Sequence, residues 1–209
     1  MWQAAVAQPM NRSADVPPPG FVDHEVGEFW IGNPWQFHDK KKNLSAFERN
    51  RVFLNHRGKQ FLEISHLTGA DSDGDGRSTA IGDLNGDGMP EVLVRQVGGG
   101  PFKLYQNLFP PQHYLKVSLR GTRSNSLGIG ARLVAEIGER RLVRELYPAN
   151  TFESQSASCI IFGLADATVV DRLVIRWPSG LEQVLRRVSC DQHIEVTEGE
   201  SEPRQLVVR

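Results

Sequence analysis

Between residues 114 and 197 the chain breaks into short apolar runs separated by turn residues, and this rhythm constrains the fold more than any other feature. Tyr114-Leu-Lys-Val-Ser-Leu-Arg120 alternates cleanly, with Leu115, Val117 and Leu119 on one face and Lys116, Ser118 and Arg120 on the other. A side-chain period of two belongs to a strand covered on one face. Ala131–Ile137 runs to a turn at Gly138-Glu139 and returns as Arg140–Leu146. Cys159–Phe162, Arg172–Trp177, the turn Pro178-Ser-Gly180, Glu182–Leu185 and His193–Thr197 complete the series. About seven short strands at regular spacing predict a sandwich or small barrel.

The second constraint is chemical. In Asp83-Leu-Asn85-Gly-Asp87-Gly88-Met89-Pro90-Glu91, oxygen side chains stand at loop positions 1, 3, 5 and 9. Gly88 at position 6 permits a sharp turn, and the carbonyl of Met89 at position 7 can point inward. Hard oxygen ligands at this spacing suit Ca²⁺, as in the start of an EF-hand loop. Position 12 is Val94, so the bidentate Glu of a helical EF-hand is missing, and the acid sits at position 9. The apolar run Val92-Leu-Val94 that follows reads as a buried strand. Carboxylates packed this closely repel one another unless a cation lies among them, so the predicted ligands are Asp83, Asn85, Asp87, Met89 and Glu91. Asp71-Ser-Asp73-Gly-Asp75-Gly76 repeats the pattern with Thr79 at position 9. It is read either as a second metal loop through Asp71, Asp73 and Asp75 or as an acidic turn without metal.

Upstream, residues 1–20 are small, polar and Pro-rich and read as a flexible lead-in. Phe29–Trp35 supplies aromatics for a sheet edge, and Ser45–Glu48 has the form of a capping box. Arg51–Asn55, the turn His56-Arg57-Gly58 and Gln60–Ser65 read as a half-covered hairpin. Glu91–Arg95, the Gly98–Gly100 turn and Phe102–Asn107 read as strand, turn, strand. With 20 Gly, 12 Pro and no long amphipathic helical pattern, the chain is expected to be all-β.

Composition narrows the function. A net charge of -1 exerts no global pull toward nucleic acid or anionic lipid. No apolar run approaches the ~18 residues of a membrane span, and the N-terminus lacks the basic and apolar regions of a signal peptide. The histidines show no HxH or HxxxH spacing for zinc. Ser154, Ser156 and Ser158 lie in a polar loop without a GxSxG elbow, and Gly128-Ile-Gly130 lacks the third glycine and helix of a dinucleotide site. Arg120, Arg123, Arg132, Arg140, Arg141 and Arg144 read as solvated strand faces. Cys159 and Cys190 either pair or remain buried thiols.

The order strand, acidic loop, strand, glycine turn, strand over residues 50–107 resembles an FG-GAP (VCBS-type) repeat, the blade unit of integrin-like β-propellers. One or two blades cannot close a propeller. Leu119-Arg-Gly-Thr-Arg123-Ser-Asn125, Gly128-Ile-Gly-Ala-Arg132, Phe162-Gly-Leu164, Val170-Asp171-Arg172 and Trp177-Pro-Ser-Gly180 resemble the ASPIC/UnbV domain. That domain follows FG-GAP repeats in proteins similar to cartilage acidic protein and in many bacterial exported proteins. The resemblance, which covers roughly residues 45–197, implies a calcium-loop segment of propeller-blade type (21–110) packed on an ASPIC/UnbV-like β-sandwich (111–198), between the lead-in (1–20) and a polar tail (199–209). It implies an extracytoplasmic, Ca²⁺-binding interaction module with no established reaction and an unidentified protein or glycan partner. Two alternatives stand beside this reading. One is an accessory protein or enzyme of a biosynthetic pathway, which a concave pocket lined by titratable groups would favour. The other is a carbohydrate-binding module using exposed Trp30, Trp35 or Trp177.

Overall fold

The computed structural model of the chain describes residues 49–56, 58–72, 76–96, 102–149 and 154–206. The fold is all-β, as the turn-rich pattern requires. In chain order the elements are β1 (Phe53–His56), β2 (Gln60–Glu63), α1 (Ser65–Thr68), β3 (Gly76–Gly82), β4 (Glu91–Gln96) and β5 (Lys103–Tyr105). They continue with β6 (His113–Arg120), β7 (Arg132–Ile137), β8 (Arg140–Glu145), β9 (Cys159–Ala165) and β10 (Val169–Arg176). The last are β11 (Glu182–Ser189), β12 (Gln192–Thr197) and β13 (Arg204–Leu206). α1 is a single turn closed by Gly69 at φ 66°. No helix among the described residues is long and apolar enough to cross a membrane. β3, β4 and β5 form a three-stranded sheet in that order.

The described residues fall into two compact units, one built from residues up to Ser78 with Val94–Lys103, the other from Thr79–Leu93 with Leu104–Arg209. In the first, β1 and β2 pair antiparallel from Phe53↔Glu63 to His56↔Gln60. The sequence suggests a half-covered hairpin, but every residue of both strands is exposed. A two-stranded ribbon has no third strand or facing layer of its own, so alternation alone cannot bury Leu54, Phe61 or Leu62. Ser65 is fully buried beside it, its Oγ accepting from the Val52 N–H at 2.7 Å.

The second unit holds the sandwich. One sheet has the order β11-β10-β7-β8 and the other β13-β12-β6-β9. All pairings are antiparallel except β12 with β6, which runs parallel in the register His193↔Lys116, Ile194↔Val117 and Glu195↔Ser118. The alternation read from β6 sends Leu115, Val117 and Leu119 into the core, where they meet Phe162, Ile194 and Val196 of their own sheet. Leu133, Ala135, Leu173, Ile175 and Leu185 close the core from the other sheet. This inward face leaves Tyr114, Lys116, Ser118 and His193 on the outward face of β6 and β12. Residues 204–206, read as part of a polar tail, extend the sheet through Glu195↔Arg204 and His193↔Leu206.

Candidate functional site

Asp83–Glu91 joins β3 to β4 and belongs to the same compact unit as the sandwich. The loop closes on its own donors. Asp83 Oδ1 accepts from the Gly86 N–H at 2.9 Å, Asn85 Oδ1 from the Asp87 N–H at 3.1 Å, and Asp87 Oδ1 from the Met89 N–H at 2.8 Å. Asp87 Oδ2 accepts from the Asn85 amide at 2.9 Å, and Glu91 Oε2 reaches back to the Leu84 N–H at 2.9 Å. Gly88, at φ 80°, lies against the Tyr114 ring, where a Cβ would fall 2.1 Å from Tyr114 Cδ1. This glycine serves both the turn and the close approach.

The charge balance differs from the expectation that only a bound cation relieves the carboxylates. Lys116 Nζ lies 3.2 Å from Asp83 Oδ2, with the lysine side chain 13% and the aspartate side chain 2% exposed. An ammonium from β6 therefore neutralises the first carboxylate, and backbone N–H groups satisfy the others. One atom is left over. Glu91 is 4% exposed, and its Oε1 has no hydrogen-bond partner. A buried carboxylate oxygen without a donor is unfavourable by several kcal/mol in an apolar surrounding, on the order of 1–3 in protein measurements. Among the described residues no group of three or more His, Cys, Asp or Glu side chains is placed to hold a metal ion. Asp83 and Asp87 are instead turned onto the donors just named.

Beside the loop is a cavity of about 200 Å³ lined by Asp83, Tyr114, Lys116, Asp191, His193 and Gln205, among others. Asp191 holds its rim in a left-handed turn at φ 55°, with Oδ2 2.6 Å from His113 Nδ1 and Oδ1 accepting from the Tyr114 N–H at 3.2 Å. Burial, then the charges of Asp83, Asp191 and Asp87, push the Tyr114 phenol up, so it stays protonated at neutral pH. Burial and then the Lys116 charge lower His193, which is therefore neutral. Its Nε2 lies 2.8 Å from Ser118 Oγ. The sequence offered no sign of this hydroxyl–imidazole pair, because the parallel pairing of β6 and β12 joins residues 75 positions apart.

The other predicted residues are placed as follows. Asp71 Oδ2 is engaged by Arg49 at 2.8 Å and by His66 at 2.7 Å. Asp73 and Asp75 lie outside the described residues, as do Trp30, Trp35 and the Ser45–Glu48 capping box. Trp177 is 3% exposed and donates Nε1–H to Gln183 Oε1 at 3.0 Å, so it anchors the core and presents no platform to a sugar. Ser156 Oγ accepts from the Ile81 N–H at 3.2 Å. Arg132 pairs with Glu145, Arg140 with Asp166, and Arg144 sits over the Phe162 ring. Cys159 and Cys190 are free thiols, half-buried, and burial pushes both up in pKa.

A structural carboxylate also went unread. Glu198, at the end of β12, accepts the N–H groups of Thr122 (2.9 Å), Arg123 (2.7 Å) and Ser124 (2.7 Å), and the Ser124 and Ser179 hydroxyls. Burial opposes its charge. The Ser124 N–H, the Ser179 hydroxyl and the Arg123 and Thr122 N–H groups more than offset that, holding the carboxyl far below the usual carboxylate range.

Comparison with known families finds two matches along the chain. Residues 43–94 match the FG-GAP-like repeat and residues 121–203 match the ASPIC and UnbV family. No curated protein matches the chain.

Proposed function

For a chain that joins an FG-GAP-like repeat to an ASPIC and UnbV domain, we propose the function of a non-enzymatic, calcium-stabilised interaction module. The observation that carries the calcium part is the buried, partnerless Oε1 of Glu91, whose sister oxygen is tied to the loop at Leu84. A hard cation is the partner such an oxygen lacks. Asp83, Asn85, Asp87 and Glu91, with the Met89 carbonyl, are the groups that would hold it, Asp83 and Asp87 turning from their present donors. The ion would fix the entry into β4, so its binding free energy would appear as folding free energy. The Asp71 loop is the weaker candidate, since the Arg49 guanidinium already neutralises Asp71 and His66 Nδ1 lies 2.7 Å from the same oxygen. The interaction part is supported by the hairpin, where Phe53, Phe61 and Leu62 stand exposed, Phe61 at 69%. Its partner would be an apolar protein surface.

The test is a thermal melt with calcium and with excess chelator. At 100 times Kd the ion adds about 2.7 kcal/mol, which at roughly 2–4 °C per kcal/mol raises Tm by about 5–10 °C. Asp87→Ala abolishes that response. A mutant that keeps the full calcium shift removes the loop from the assignment.

A second reading, an accessory protein with a reaction site, is supported by the cavity lined by Asp83, Tyr114, Lys116, Asp191 and His193 and by the Ser118–His193 pair next to it. Covalent labelling of Ser118 by a serine-reactive phosphonate, lost in His193→Gln, would favour it. An unlabelled serine counts against it.

A further inference from the structure

We infer that Lys116 is a built-in counter-cation of the acidic loop, and that a divalent ion binds by exchanging with it. The inference rests on the calcium reading above and adds what that reading leaves open, namely what holds the loop when no ion is bound and what opposes the ion's entry. Asp83 is the first oxygen ligand of the pattern, and its side chain is 2% exposed. A carboxylate so deeply placed is costly unless paired. Both its oxygens are engaged, Oδ1 by the Gly86 N–H and Oδ2 by the Lys116 ammonium. Lys116 is one of the residues of β6 whose outward position the strand alternation dictates, so the ammonium is delivered to the loop by the sandwich and not by the loop itself. A cation coordinated by Asp83 and by the partnerless Glu91 Oε1 would share a carboxylate with this ammonium. Two positive charges on one buried carboxylate repel, and the lysine must withdraw.

The structure also supplies a place for it to go. Lys116 lines the cavity that holds Asp191 on its rim. A flexible four-carbon stem lets the ammonium leave Asp83 and remain solvated near the Asp191 carboxylate, so the exchange does not strand a buried charge. Calcium affinity in the intact chain is therefore set partly by the free energy of moving Lys116. Occupation of the loop and the charge inside the cavity are linked, so each biases the other.

The experiment is calorimetric titration of the full chain with Ca²⁺, comparing the wild type with Lys116→Met and with Lys116→Gln. The second variant keeps a hydrogen-bond donor for Asp83 without the charge, should the first fold poorly. Lys116→Arg is the charge-retaining control. The expected result is that both neutral variants melt lower than the wild type in chelator yet bind Ca²⁺ about tenfold more tightly, within the usual range of coupling between sites. Lys116→Arg should stay close to the wild type. Binding by the neutral variants alone supports the exchange equally. If the wild type binds and the neutral variants bind no tighter, the lysine exchange is overturned while the calcium assignment stands. If none of the proteins binds, both readings fall together.

Discussion

Gly88→Ala tests how the acidic loop is seated, and its magnitude follows from two separable effects. At φ 80° the backbone lies in the left-handed region, where an L side chain is unfavourable by roughly 1–2 kcal/mol. The added Cβ would also fall 2.1 Å from Tyr114 Cδ1 and 2.3 Å from Cε1 and Cγ. The Tyr114 backbone is pinned beside the loop, because its N–H donates to Asp191 Oδ1 and its carbonyl accepts from the Asp191 N–H at 2.7 Å, so relief must come from the ring or from the loop. Relieving the overlap adds about 1–3 kcal/mol, as for overpacking elsewhere. The total of about 2–5 kcal/mol lowers Tm by roughly 4–20 °C for a chain of this size. A double-mutant cycle isolates the second effect. In a Tyr114→Ala background the same substitution should be worth only the backbone share of roughly 1–2 kcal/mol. The assay is urea unfolding of all four proteins in chelator, with amide hydrogen exchange over residues 83–91 to register local lifting of the loop. If Gly88→Ala is equally unfavourable in both backgrounds, or leaves the wild-type midpoint and loop protection unchanged, the seating of Gly88 on Tyr114 is refuted.

Two further predictions follow from the sandwich. Phe162→Ala, at a fully buried position of the core, should destabilise by about 3–5 kcal/mol, read as a lower urea midpoint with an unchanged slope. A change below about 1 kcal/mol would remove Phe162 from the core. Glu198→Gln should lower Tm at neutral pH, because three N–H groups and two hydroxyls lose their anionic acceptor. Since the folded carboxyl is held below its ordinary value of 4.5, its stabilisation is present above that pH and lost as pH falls through and below it. The gap between wild type and Glu198→Gln should therefore narrow on acidification. A gap that is constant from pH 7 downward would show that the cradle does not depend on the charge.

The exposed β1–β2 hairpin and the buried β6 show how far local pattern reaches. Leu62 and Ile64 alternate with Phe61 and Glu63 much as Leu115 and Val117 alternate with Lys116 and Ser118. Yet only β6 has a partner on each side and a facing sheet, so only there does alternation become burial. β3 and β13 were missed because Gly76–Gly82 and Arg204–Leu206 carry no periodic apolar signal. They are strands because a neighbouring ladder accepts them.

By itself the amino-acid order determined that the stretches of β6 to β12 are extended, which side chains of β6 face inward, and which nine residues form the acidic loop. All of these depend on near neighbours, through the period of two, on turn residues, and on closely spaced oxygens. Only the tertiary structure decided that Lys116 meets Asp83, that Ser118 meets His193, that Tyr114 lies under Gly88, and that Glu198 binds the turn after β6. Each of these joins residues many positions apart. Their meeting depends on strand order and register, which are chosen by burial of the whole core and not by any single segment.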